Sequence, residues 1–139
     1  MIRNYLAAFT GLCLTIFAAP SFAADRTDKT LTFEPTPFKN SELFCENDND
    51  IFPAKNEFEL INYSIMSSEE GERFGFITLR NTSSGQRIFT QDQLLAILGD
   101  CSRKPPQPIE KKFAGNETIS LQVNFGLSRF PILKLITER

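Results

Sequence analysis

Thr118-Ile119-Ser120-Leu121-Gln122-Val123-Asn124-Phe125 alternates without a break. Ile119, Leu121, Val123 and Phe125 fall on one side, and Thr118, Ser120, Gln122 and Asn124 on the other. A period of two is that of a strand, and one apolar face with one neutral polar face marks a half-buried antiparallel strand. Gly126 is expected to break it. Beyond Pro131, Ile132-Leu133-Lys134-Leu135-Ile136 reads as a last strand. Upstream, Ala114-Gly115-Asn116-Glu117 supplies a turn, and Ile109–Phe113 the strand before it.

The same reading extends towards the N-terminus. Phe74-Gly75-Phe76-Ile77-Thr78-Leu79-Arg80 is a strand, Asn81–Gly85 a loop, and Arg87–Thr90 extended chain again. Glu57–Met66 is rich in β-branched and aromatic side chains, which favours strand over helix. Thr30–Glu34 alternates and is stopped by Pro35 and Pro37. Gln91–Leu98 suits a buried strand or one helical turn capped by Thr90 or Asp92; Gly99-Asp100 closes it like a turn, which favours strand. Ser102–Pro108, with Pro105, Pro106 and Pro108, is expected to be a stiff extended connection. About seven short strands with frequent turns predict an all-β, antiparallel β-sandwich in one domain.

The N-terminal residues carry a different message. Met1-Ile2-Arg3-Asn4 is a short positive start, Tyr5–Ala19 is almost wholly apolar, and Ser21 and Ala23 fit the small-residue positions of a cleavage site. This is the pattern of a secretory leader, so residues 1–23 are expected to be a signal peptide and 24–139 the mature domain. The apolar run is shorter than the roughly 20 residues a spanning helix needs, so no integral membrane segment is expected after cleavage. The destination is the periplasm or the exterior.

Charge and composition exclude several functions. The net charge is -2, and without Arg3 the mature chain holds 14 basic against 17 acidic side chains. No basic face for nucleic acid is implied. The chain has no His, which removes the commonest general base and the commonest metal ligand together. Of three Cys, Cys13 lies in the leader, which leaves Cys45 and Cys101. Two cysteines in an oxidising compartment imply one disulfide, either between the sheets or clamping a loop. A redox pair would be C-x-x-C, and two thiolates without His cannot complete a zinc site.

One resemblance emerges from these segments. The strand Phe74–Arg80 ending in Asn81, the stretch to Gly99-Asp100-Cys101, and the Gly115-Asn116-Glu117-Thr118 turn opening the strand to Phe125 occur in that order. This resembles small exported bacterial immunoglobulin-like (telokin-like) domains, over about residues 74–136. It implies an immunoglobulin-like sandwich and, for function, binding to other proteins. Cys101 stands where such domains often have Gly, and the core has no Trp.

Candidate chemistry is sparse. Glu46, Asp48, Asp50 and Glu57 have part of the spacing of a calcium loop, but Ile51 stands where the tight turn needs Gly, so a solvated acidic loop is the favoured reading. No Ser-x-x-Lys pair occurs in the mature chain, and nothing localises a carboxylate pair, so no enzyme and no cofactor are expected. Phe74 and Phe76 share one face of a strand: as core residues they need no further account, and on an exposed surface they would be partner-binding. Arg103, leading into the proline-rich stretch, is the third partner-binding candidate. Asn62, Asn81 and Asn116 head glycosylation-type triplets. The expectation is an exported, non-catalytic protein-binding or accessory module of the cell envelope. Its alternatives are a secreted host-interaction or adhesin-like factor and an inhibitor of an exported hydrolase.

Overall fold

The computed structural model describes residues 30–46 and 51–138; the expected signal peptide (1–23) and Asp48 and Asp50 lie outside the described residues. Nine strands follow in order: β1 (Leu31–Glu34), β2 (Phe58–Ser68), β3 (Glu72–Asn81), β4 (Arg87–Thr90), β5 (Leu95–Leu98), β6 (Arg103–Lys104), β7 (Glu110–Phe113), β8 (Thr118–Leu127) and β9 (Ile132–Ile136). Every pair of these strands that is hydrogen-bonded is antiparallel. One layer is the four-stranded sheet β1-β2-β3-β8; the other is built from β4-β7 and β6-β5-β9. The chain is therefore an all-β sandwich, as the alternation predicts.

The core lies between the layers. Ile119, Leu121, Val123 and Phe125 all face it, together with Phe58, Tyr63, Ile65, Ile77 and Leu79 from the large sheet. Phe89, Leu94, Ala96, Leu98, Phe113, Ile132 and Leu135 meet them from the opposite layer. Phe58 is the hinge of this packing: its ring stands edge-on to Phe89 at 5.5 Å and tilted against Phe113 at 4.9 Å. Towards the other end of β3, Gly75 permits a close approach of the layers, since a Cβ there would lie 3.2 Å from Leu135 and 3.3 Å from Val123.

Two segments depart from expectation. Gly126 does not end β8: at φ +72° it forms an irregular register with Arg73 and Phe74, and the strand runs on to Leu127. A glycine can take that left-handed backbone and stay in the ladder as a bulge. Gln91–Leu98 is both of the structures weighed for it. Gln91–Gln93 is a single 3₁₀ turn, with the Gln93 side chain accepting the Thr90 amide, and Leu95–Leu98 is strand.

Candidate functional site

Cross-strand register determines which side chains share a face, because residues directly opposite one another point the same way. Phe74 lies opposite Met66 on β2 and Asn124 on β8, and Met66 lies opposite Phe33 on β1. Phe76 lies opposite Ser64 and Gln122, and Thr78 opposite Asn62 and Ser120. The residues between these, Gly75, Ile77 and Leu79, point into the core. Phe74 and Phe76 therefore share the outer face of the large sheet; Phe74 is nonetheless buried there, and Phe76 is exposed.

Met66 and Phe74 are nearly covered, at 7% and 8% exposure, yet neither belongs to the sandwich core. Phe76 is 46% exposed near the middle of β3, and Phe33 is 70% exposed on β1. Around this aromatic and Met row the face is neutral: Asn62, Ser64, Thr78, Ser120, Gln122 and Asn124, with Thr78 and Ser120 hydroxyls 2.8 Å apart. Charges stand only at the margins. Glu59 and Arg80 are paired in register at one end and Glu72 lies at the other. Lys39 reaches the β2 margin, where its ammonium donates to Asn62 Oδ1 and to the Tyr63 carbonyl.

The disulfide organises the opposite side of the molecule. Cys45 and Cys101 are bonded, with Cα atoms 5.8 Å apart, and the bridge clamps a loop. Cys101 itself takes a left-handed backbone (φ 64°) in the turn after β5. Asp100 holds that turn by accepting the Ser102 amide and hydroxyl, and the hydroxyl contact lowers its carboxyl from the usual value. Leu95 and Ile97 point away from the core and are still buried. Leu43, Phe44 and Phe52, with Ile97, Ile136 and Lys134, line a cleft of about 410 Å³ beside that face. Lys134 donates to the Ser41 carbonyl at 2.7 Å, which fixes the same arm.

Arg103 belongs to this arm and not to the aromatic face. Its guanidinium lies 4.9 Å from the Phe52 ring centre and donates to the Ile51 carbonyl at 2.6 Å. The segment after it is tied down: Pro106 is buried and the Gln107 amide donates to Asn124 at 2.6 Å. Of the acidic residues, Glu46 is exposed and Glu57 pairs with Arg87. Among the described residues no group of three or more His, Cys, Asp or Glu could hold a metal ion. Asn81, which heads one of the glycosylation-type triplets, is wholly buried, and its amide donates at 2.8 Å to both Gly85 and Ala114 carbonyls.

Sequence reading singled out Phe74 and Phe76 but not Phe33 and Met66, which share their face. The signal was present: a turn centred on Glu69–Gly71 folds Met66 back onto Phe74, and the alternation of β1 puts Phe33 on the same side. Compared with family models, curated proteins and solved structures, the chain matches none.

Proposed function

We propose that the mature chain is an exported, non-catalytic module that works by binding another protein through the outer face of β1-β2-β3-β8. One observation carries this reading: that face is free of charge across its middle and bears an aligned Phe33–Met66–Phe74 row with Phe76 standing exposed beside it. Solvated sheet faces are normally dotted with Lys and Glu. Interface centres are instead depleted of charge and enriched in aromatic residues and Met. The disulfide supports export, because such bridges persist in oxidising compartments. The inhibitor reading fits less well, since Arg103–Pro108 is pinned against β8 and does not stand out as a rigid loop.

The test is capture of envelope proteins by the tagged mature chain, with Phe76→Lys and a control, Glu110→Lys, on exposed β7. A stoichiometric partner held by wild type and by the control but lost with Phe76→Lys is expected. Equal capture by all three would remove the outer face from the account.

A further inference from the structure

We infer that the partner supplies an extended segment that adds as a fifth strand along the free edge of β8, beside Thr118–Gln122; this rests on the binding role just proposed for the sheet. The register shows which backbone groups are free. The Asn81 amide donates to the Glu117 carbonyl at 2.8 Å, so the odd-numbered residues of β8 bond to β3 as far as Val123. The even-numbered ones turn their N–H and C=O outward. Asn124 agrees with this parity, since its carbonyl accepts the Gln107 amide from outside the sheet at 2.6 Å. Among the described residues, the outward backbone groups of Thr118, Ser120 and Gln122 have no partner. They make a row of donors and acceptors about 14 Å long at standard strand rise.

The rest of the molecule guards its edges and leaves this one open. Strands β1, β4, β6, β7 and β9 also end their sheets, and none exceeds five residues. Pro35 follows β1, Pro105 follows β6, and β7 and β9 carry Lys111, Lys112 and Lys134. The unpaired half of β2 is broken by the bulge between Leu60 and Asn62, and Lys39 occupies its Tyr63 carbonyl. Short strands, Pro, Lys and bulges are the devices that keep strand edges from pairing. β8 has ten residues and none of these devices over Thr118–Gln122.

The chemistry of the edge selects its occupant. A free row of N–H and C=O at strand spacing is matched by another extended backbone. On the core side an added strand continues the row of Ile119 and Leu121, which are only half-buried, so it needs apolar residues at alternate positions. Lys111 lies opposite buried Phe89 and so points towards the other layer, yet it is exposed. Four residues join β7 to β8, so Lys111 and its exposed neighbour Lys112 favour Asp or Glu at the end of the segment nearest Thr118. A second copy's β8 fits less well. Antiparallel pairing centred on Ser120 sets its own Gln107 connection, held at Asn124, against the Gly115–Asn116 turn.

Panning the mature protein against a displayed library of linear seven-residue peptides is the test. The expected winners alternate apolar residues, lack Pro and carry Asp or Glu at one end. Their binding should fall by more than about tenfold in Ser120→Pro, which removes an outward donor and leaves the β3 ladder intact, and should weaken in Lys111→Ala. Because a Pro variant can unfold, amide exchange of the wild type gives a second reading. The Thr118, Ser120 and Gln122 amides should exchange fast in the free protein and at least about tenfold slower with a selected peptide bound. Those of Ile119 and Leu121, already bonded to β3, should change little. No enriched peptide, or peptides that bind without slowing these three amides, overturns the inference. So does slowing that grows with protein concentration in the absence of peptide, which gives the edge to a second copy. Envelope capture separates the two proposals: loss with Phe76→Lys but not with Ser120→Pro keeps the face and removes the edge, and the reverse keeps the edge and removes the face.

Discussion

Asn81 closes β3 with its side chain wholly buried and every polar atom used. Its amide nitrogen donates to Gly85 and Ala114, and its oxygen accepts the Ser83 amide at 3.0 Å. It thereby sews the β3–β4 turn to the β7–β8 turn, where Gly115 passes so close to Ser84 that a Cβ would lie 1.9 Å from its carbonyl oxygen. Asn81→Ala leaves the part-buried Gly85 and Ala114 carbonyls without this donor and should cost about 1–3 kcal/mol, read as a fall in denaturant midpoint with unchanged slope; a midpoint equal to wild type would refute the role. The triplet Asn81-Thr82-Ser83 matches an acceptor motif in sequence, but the burial of its Asn81 depends on the second turn, more than 30 residues away. Tyr63 offers a different case. Burial raises its phenol above the usual value, partly offset by the Leu135 backbone, and the hydroxyl lacks a hydrogen bond of full geometry. Because the folded state raises this pKa, the associated stability is complete below pH 10 and is lost as pH climbs through the folded value. Tyr63→Phe should match wild type at neutral pH and hold its stability better in alkali. In protein made as residues 24–139, which lacks Tyr5, and with no Trp in the chain, phenolate absorbance follows Tyr63 directly. A titration midpoint at or below the ordinary tyrosine value would contradict this.

Single strands were legible where one face meets the core, and less so where partners lie far along the chain. The alternation of Thr118–Phe125 gave both the strand and its buried side, because periodicity is a local property. Register is not: whether Phe74 and Phe76 look inward depends on which residues of β2 and β8 lie opposite them. The arm beside β5 is the clearest example. Leu94–Leu98 is apolar at every position, which reads as a strand buried on both faces, but Leu43, Phe44 and Phe52, which share the cleft with Ile97, come from far earlier in the chain. The bridge from Cys45 to Cys101 tethers that arm. Cys45→Ala is expected to lower stability by about 2–5 kcal/mol and to increase binding of an apolar dye as the arm parts from Ile97. Unchanged stability together with unchanged dye binding would mean that the arm stays down without the bridge. At the other edge, Glu34 accepts from Arg73 at 2.6 Å and from Ser67 at 2.5 Å, which fixes short β1 to the sheet and so places Phe33 in the aromatic row.

At the scale of the molecule, the sandwich has two dissimilar outer faces. One carries a disulfide-tethered arm with an open cleft beside Ile97; the other is neutral in its middle and marked by Phe33 and Phe76. The fold class could be derived from alternation and turn spacing. The surface could be derived only in part, since the sequence separates Phe33, Met66 and Phe74 that the sheet aligns. The account's central claim is that the neutral face is where this protein meets its partner. Site-specific photo-crosslinking in producing cells tests it most directly, with a benzophenone side chain placed at Phe76 and, for comparison, at Glu110. The account predicts a discrete protein adduct from position 76 and little from position 110. No adduct from 76, or the same adducts from both positions, would contradict it.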